Sequence, residues 1–515
     1  MRASLINKAW LFTQYRQAKH FHDNSNHCAK IQEALLLLNL RQNTATDIGR
    51  KFRFNRLINY EAFARNVPII EEYSAIKPDI ENMKAGGQDV LFKGAPHFFE
   101  STSGTSSEPK YIPFNKALKN ELNKAIAVWM WELYRYDHAI FSGQAYWALS
   151  PAMKEPKFTA SGIPVDTGND LDYLGPVSAF FLKQVFAVPP ELKCINDPAE
   201  FYVKTWRYLL NSPKLAFISV WSPQFLIRLL TFLKANVREI SKNNNISRLK
   251  FDTIQSAISE DRLTFDFLFP NLRMLSCWTH GQSRIWLNQL KKITGRVPVQ
   301  GKGLLATEGI VSIPLGMNKH VLSYTSHFYE FKDSKGNIKT ASNLSEEEVC
   351  EVIITTGGGL YRYNMHDLVR CTGFYNSIPC FEFIGRSGNV SDLVGEKVAE
   401  SSLNEILDTA LNTFQHISAL YLFPVHTEAG AQYTLAIEGE DHEAAAVRAF
   451  VEAELMKNPN YKQALKAGQL RGLSPFQVES GFTQRLTDHY QKKNNMADGD
   501  LKLPLLFPVN FLNDV

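Results

Sequence analysis

Ser101-Thr102-Ser103-Gly104-Thr105-Ser106-Ser107-Glu108-Pro109-Lys110 is a run of hydroxyl residues broken by one glycine and closed by a lysine. Gly104 lets the backbone turn so that successive N–H groups can face one anion. The hydroxyls can donate to phosphate oxygens, and Lys110 adds a positive charge. The segment is not a Walker loop, whose pattern needs a second glycine directly before the lysine, where Pro109 stands. A solvated, serine-rich surface loop has the same composition, so the segment alone leaves both readings open. Ahead of it, a turn at Ala85-Gly86-Gly87 leads into Val90-Leu91-Phe92. Behind it, Asn115 to Tyr136 has helical spacing, with Leu118, Leu122, Ile126, Trp129 and Leu133 near one face.

Further along, short apolar runs (Ala145 to Leu149, Leu215 to Val220, Leu272 to Cys277, Val352 to Thr356) alternate with helical stretches (Ala199 to Asn211, Pro223 to Asn236, Ile285 to Thr294). Such alternation predicts the α/β class, with helices covering several sheets. From about Asn389 the pattern restarts. Helices are expected over Ser401–Asn412, His442–Leu455 and Phe482–Lys492, and strands over Leu420–Val425, Tyr433–Ile437 and Phe476–Glu479. These make a small α+β domain. The stretch Gly385-Arg386-Ser387-Gly388-Asn389 reads as the boundary and a possible hinge, which divides the chain into residues 1–386 and 387–515.

Four further segments carry chemistry. In Gly303-Leu304-Leu305-Ala306-Thr307-Glu308-Gly309 a single carboxylate ends an apolar stretch. Glu308 could hold Mg2+ against triphosphate oxygens, since magnesium takes one or two carboxylates plus waters; an ordinary turn has the same residues. In Gly357-Gly358-Gly359-Leu360-Tyr361-Arg362-Tyr363-Asn364-Met365-His366-Asp367 a strand meets three glycines, then an aromatic and basic run. Asp367 at its end could accept both ribose hydroxyls, or Arg362 and Asp367 could form a structural ion pair. Arg386 could fork onto a phosphate. Lys502, in Gly499-Asp500-Leu501-Lys502-Leu503-Pro504, could swing into a site or simply be solvated.

Composition narrows the classes. The 515 residues exceed one ordinary core, with 44% hydrophobic and 21% charged residues, typical of a globular protein. The formal net charge of +4 is spread out, and no basic stripe suggests nucleic acid. The six cysteines form no CxxC pair, which points to free thiols in a reducing compartment. The longest apolar runs, such as Ala34 to Leu38, fall far short of a membrane span, and Met1 to Asp23 has no signal-peptide core. No membrane partner and a cytoplasmic location are expected. The aromatic residues Trp147, Trp278 and Phe328 are candidates to line an apolar acid pocket, although such residues more often belong to a core.

In this order, the segments resemble the motifs of the adenylate-forming superfamily of acyl-CoA synthetases, adenylation domains and luciferases. They are most similar to the Gretchen Hagen family of acyl acid amido synthetases and its bacterial relatives. Thr102-Ser103-Gly104-Thr105-Ser106 with Lys110 resembles the family's phosphate loop, Ala306-Thr307-Glu308-Gly309 its second motif, and Gly359 through Asp367 with Thr372-Gly373-Phe374 its third. Cys277-Trp278 and His327-Phe328-Tyr329-Glu330-Phe331 also look like family segments. Leu304 stands where the family often has tyrosine, and His366 where plant members have glycine. Gly388 and Asp392 occupy places where the wider superfamily has aspartate and lysine at its hinge.

The resemblance implies a large multi-sheet adenylation domain with a small mobile C-terminal domain. It implies ATP and Mg2+ as cofactors, a small carboxylic acid as substrate and an amine, such as an amino acid, as acceptor. Thr102, Ser103, Gly104, Thr105, Ser106, Thr307, Glu308, Tyr361 and Asp367 would bind ATP, with Glu308 the metal ligand. Lys110, Arg386 and Lys502 would be catalytic. An acyl-CoA ligase shares the first half-reaction and differs only in its thiol acceptor. A non-catalytic nucleotide-binding protein is the alternative from another class.

Overall fold

The computed structural model describes residues 2–102, 110–147, 157–166, 176–195, 197–242, 246–427, 430–494, 496 and 502–514. The chain divides into two compact units. The first comprises Met1–Thr279, Leu290–Met365 and Val369–Glu382; the second comprises His280–Gln289, His366–Leu368 and Phe383–Val515.

The first unit is built on sheets. Strands β1 (Phe98–Ser101) and β2 (Tyr111–Phe114) form an antiparallel hairpin, extended by β4 (Lys157–Phe158) and β5 (Pro164–Val165) in the order β2-β1-β5-β4. A second sheet, β3-β6-β7-β8, is wholly parallel: β3 is Gln144–Trp147, β6 Leu215–Ser219, β7 Met274–Cys277 and β8 Val299–Gly301. Parallel neighbours need crossover connections. The helices Pro176–Val185 and Pro198–Leu210 lie between β3 and β6, and Pro223–Ser241 and Arg248–Ser259 between β6 and β7. All five residues of β6 are buried, which is why Leu-Ala-Phe-Ile-Ser reads as a continuous run rather than an alternation.

One face of this sheet presents Phe217 and Met274 to a core shared by three helices. Trp10 and Leu11 come from the helix Arg2–Asp23, Trp129, Met130 and Leu133 from Lys116–Tyr136, and Leu182 and Val185 from Pro176–Val185. The chain from Leu305 to Arg386 forms a short hairpin, β9 (Leu305–Ala306) and β10 (Gly309–Ile310), and a seven-stranded sheet. That sheet runs β11-β12-β17-β16-β15-β13-β14, from β11 (Ser312–Leu315), β12 (Lys319–Leu322), β13 (Phe328–Asp333), β14 (Ile338–Thr340), β15 (Val349–Thr355), β16 (Tyr363–Tyr375) and β17 (Ile378–Arg386).

In the second unit a small pair, β18 (Val390–Ser391) and β19 (Val398–Ala399), precedes a three-stranded sheet. It is ordered β20 (Ile417–Thr427), β21 (Gly430–Gly439), β22 (Ser474–Val478), with helices Glu400–Thr413, Ala444–Leu455, Pro459–Lys466 and Phe482–Asn494. The C-terminal strip beside Leu422 is laced to β20: Leu422 N–H donates to the Leu505 carbonyl, and Phe507 N–H donates to the Leu422 carbonyl.

The class is α/β with several sheets, as the alternation predicts. The helix expected over Asn115–Tyr136 is observed at Lys116–Tyr136, capped by Asn115, whose side chain accepts from Leu118 N–H. Val90-Leu91-Phe92 is buried but belongs to no strand. Five cysteines, Cys28, Cys277, Cys350, Cys371 and Cys380, are free and buried, in line with the expectation of unpaired thiols. Burial pushes the thiols of Cys28 and Cys277 up to about 12, so neither is a nucleophile at neutral pH. Among the described residues no helix is long and apolar enough to cross a membrane.

Candidate active site

The two described ends of the hydroxyl-rich run lie side by side where β1 and β2 meet it. Ser101 pairs with Tyr111, and Thr102 N–H donates to the Lys110 carbonyl at 2.9 Å, closing the neck. Ser103, Gly104, Thr105 and Ser106 fall in 103–109, outside the described residues. The neck is braced from two sides. Asp166, held at φ 58°, accepts from Ser101 N–H and donates its own N–H to the Phe99 carbonyl. The Tyr73 hydroxyl accepts from Tyr111 N–H at 2.9 Å. Lys110 is half-buried at the end of this brace.

Thr307 and Glu308 are the two-residue turn between β9 and β10. Glu308 is only 9% exposed, and among the described residues no hydrogen bond or ion pair engages its carboxylate. Desolvating an unpartnered carboxylate is costly, so this position suits a group that supplies positive charge. A polar chain holds the hairpin from below. The His327 imidazole takes Ile310 N–H on Nε2 at 3.3 Å, and its Nδ1 lies 2.8 Å from Glu121 Oε2. Since Nε2 accepts, Nδ1 carries the proton and donates to Glu121. Glu121 in turn accepts from Gly357 N–H at 3.0 Å, and Asn115 donates to the Gly357 carbonyl at 2.8 Å. The glycines on this path are required by close approach. A Cβ on Gly309 would lie 2.9 Å from His327 Nε2, and one on Gly357 would lie 2.7 Å from Glu121 Oε1.

Tyr361 turns into the core: its hydroxyl donates to the Leu91 carbonyl at 3.3 Å, and its ring packs on Phe54. Burial raises its phenol well above the ordinary range. Its side chain is thus engaged within the protein. Arg362 and Asp367 each engage partners within their own unit. Arg362, at φ 53°, grips Glu330 through Nε and Nη2 at 2.9 and 2.8 Å and donates from Nη1 to the carbonyls of Ala64 and Val67. Tyr60 also donates to Glu330. Within the second unit, Asp367 is buried and lies 3.3 Å from Arg386 Nε, which is half exposed. His366, beside it, sits at φ 59°, the left-handed region that glycine adopts freely. Its carbonyl accepts from Ser387 N–H at 2.7 Å. Lys502 is exposed just ahead of the strip anchored on β20, where Leu505 N–H also donates to Glu400.

The aromatic candidates separate. Phe328 is core of the seven-stranded sheet, packed on Tyr60 and Phe63. Trp147 and Trp278 lie at the carboxyl ends of β3 and β7, the edge at which parallel sheets bind ligands. Trp147 packs on Trp129, and Trp278 on Trp221. Lys302 is common to both pairs, its Nζ lying 4.6 Å from the Trp129 ring and 5.1 Å from that of Trp221. Sequence reasoning missed Lys302, although a lysine between Gly301 and Gly303 directly before the Glu308 motif is a visible oddity. It also missed Glu121, a carboxylate set one residue before the apolar Leu122 on a core-facing helix.

A family model described as the GH3 family N-terminal domain matches residues 17–299, and one described as the GH3 family central domain matches residues 320–386. Indole-3-acetic acid-amido synthetase GH3.4 of Arabidopsis thaliana is 23% identical over 445 residues, covering 77% of this chain and 74% of that protein. The 4-substituted benzoates-glutamate ligase GH3.12 of the same plant is 23% identical over 554 residues and covers 94% of each. Among solved structures, the AtGH3.15 acyl acid amido synthetase in complex with 2,4-DB superposes with a TM-score of 0.84 at 18% identity, over 97% of this chain and 95% of that one. Because the N-terminal domain model alone spans more than half of the sequence, the chain belongs to the GH3 family.

Proposed function

We propose that the protein is an ATP-dependent acyl acid amido synthetase: it activates a carboxylic acid as an acyl-adenylate and passes the acyl group to an amine. Two of the relatives named above are amido synthetases by name and one a benzoates-glutamate ligase, and an amino acid is the acceptor assigned here. The observation that carries the reading is the nearly buried Glu308 carboxylate in the turn of the β9–β10 hairpin, without a partner among the described residues.

The chemistry follows from charge. A carboxylate cannot expel oxide, so one of its oxygens attacks the α-phosphorus of ATP, the P–O bond to pyrophosphate breaks, and AMP becomes the leaving group of the mixed anhydride. The amine then attacks the acyl carbon, the C–O bond to AMP breaks, and a proton is released with the amide. The first step joins two anions, and cationic groups must screen them. Lys110 at the hairpin neck and Lys502 ahead of the C-terminal strip are assigned to this role, together with Arg386. Thr102 and Thr307, with the loop residues Ser103, Gly104, Thr105 and Ser106, are assigned to the phosphates, and Asp367 to the ribose hydroxyls. Tyr361 contributes through its backbone, since its side chain is engaged with Leu91.

The donor set fits magnesium: one carboxylate without a partner among the described residues, Glu308, matches the single-carboxylate habit of Mg2+ beside phosphates. The ion would supply charge neutralisation on the triphosphate. A cytoplasmic setting suits a substrate pair of ATP and free acid.

The test is acid-dependent exchange of labelled pyrophosphate into ATP across a panel of carboxylic acids, followed by addition of amino acids or CoA to the best acid. Exchange, followed by AMP release that depends on an amino acid, supports the assignment. Exchange with release on CoA alone would replace amide formation by thioester formation, and no exchange with any acid would remove the adenylation step itself.

A further inference from the structure

One buried carboxylate of the second unit joins two stretches that lie far apart in the chain. Glu400 opens the helix Glu400–Thr413 and is only 4% exposed. Its Oε1 accepts from Leu505 N–H at 3.0 Å, 105 positions along the chain, and its Oε2 accepts from Asn389 Nδ2 at 2.7 Å. Its own N–H donates to the Asn389 carbonyl at 2.9 Å. Asn389 ends the stretch Gly385–Asn389, and Leu505 stands three residues after Lys502. A single side chain therefore ties the lysine strip to the stretch near the head of this unit.

The rest of the strip is seated by burial and by β20. Leu503, Leu505, Leu506 and Phe507 are buried, and the Leu505 carbonyl accepts from Leu422 N–H at 2.9 Å. Both backbone groups of Leu505 are thus taken, one by the strand and one by the carboxylate. Three residues span at most about 11 Å, so a shift at Leu505 is passed on to Lys502. A misplacement of about 1 Å at a reacting group costs on the order of a hundredfold in rate. A carboxylate offers one oxygen to each of the two donors; a glutamine of the same shape has one oxygen, so one donor would lose its acceptor.

Resting on the assignment of Lys502 to adenylation above, we propose that Glu400 is a positioning residue for that lysine. Its carboxylate holds the strip in register with Gly385–Asn389, and it acts on the first half-reaction through Lys502 alone.

The experiment is a double-mutant cycle on the full chain. It compares the wild type, Glu400→Gln, Asn389→Ala, Lys502→Ala and each of the first two substitutions combined with Lys502→Ala, with thermal melting of every protein. Two rates are measured: pyrophosphate exchange with the fastest acid of the panel above, resolved into kcat and the KM for ATP, and amide formation from the synthetic acyl-adenylate of that acid with a mixture of the common amino acids. Glu400→Gln should lower kcat for exchange by about tenfold to a hundredfold, leave the KM for ATP unchanged and slow amide formation far less. In the Lys502→Ala background the same substitution should change exchange by less than about twofold, since the residue it acts through is gone. Asn389→Ala should repeat the pattern in smaller measure, and it decides the matter should Glu400→Gln fail to fold. An unchanged kcat, the same loss with and without Lys502, or equal slowing of both half-reactions overturns the positioning role and leaves the lysine assignment standing. Full exchange in Lys502→Ala removes the lysine assignment and the positioning role together, while adenylation stands. Absence of exchange in the wild type with every acid overturns the adenylation reading, and this inference with it.

Discussion

Two carboxylates of the first unit, both nearly buried, are treated in opposite ways. Glu330 is gripped by Arg362 and Tyr60, whereas Glu308 has no partner among the described residues. Removing one member of a buried pair strands the other, at about 3–5 kcal/mol. Glu330→Ala should therefore lower the unfolding free energy by that amount, measured by urea denaturation. Glu308→Gln should behave in the reverse manner. It removes a desolvated charge with nothing to lose, so the melting temperature should hold or rise, while pyrophosphate exchange falls by about two to three orders of magnitude, the usual cost of one charge-stabilising contact. A Glu308→Gln protein that keeps full exchange would dismiss it as a metal ligand. Lys110→Ala should lose exchange and stay folded, because Lys110 contributes its carbonyl, not its side chain, to the hairpin neck.

At the scale of elements, the motif turns are held by a path rather than by their own residues. Asn115 caps the helix Lys116–Tyr136 and also donates to Gly357, so Asn115→Ala loses a cap and a buried hydrogen bond together. A loss of about 1–2 kcal/mol in stability is expected by chemical denaturation; no change would mean that the triple-glycine turn is held elsewhere. The amphipathic helices and buried strands were legible in the sequence because their period is local: Pro198–Leu210, Glu400–Thr413 and β6 fall within a residue or two of expectation. The antiparallel strands β11–β14, β16 and β17 were not. Their residues mix buried Ser, His, Asn and Glu with apolar ones, since partners such as Arg362 for Glu330 lie 32 positions away. The same non-locality hid Glu121 and Lys302, whose meaning depends on His327 and Ser219 rather than on neighbours in the chain. Gly309 and Gly357, by contrast, stand in readable motifs, and a Cβ on either would crowd His327 or Glu121.

For the whole molecule, the division into two units assigns the proposed residues to separate bodies. Lys110, Thr307 and Glu308 belong to the first, and Asp367, Arg386 and Lys502 to the second. The second unit begins at Phe383, four residues before the boundary read from the sequence, and takes in His280–Gln289 and His366–Leu368 as well. If the second unit serves the two half-reactions in different ways, the exposed Lys502 belongs to the first of them. Lys502→Ala should then slow pyrophosphate exchange by about two to three orders of magnitude and slow amide formation from supplied acyl-adenylate far less. Equal slowing of both would place the lysine in neither step specifically.

The central claim is that an oxygen of the acid becomes bonded to the α-phosphorus of ATP. Turnover of an acid labelled with 18O in both carboxylate oxygens, with ATP and an amino acid, tests this by mass spectrometry of the nucleotide product. One 18O atom in each AMP, with the other retained in the amide, is the predicted result; unlabelled AMP, or ADP carrying no label, would contradict it.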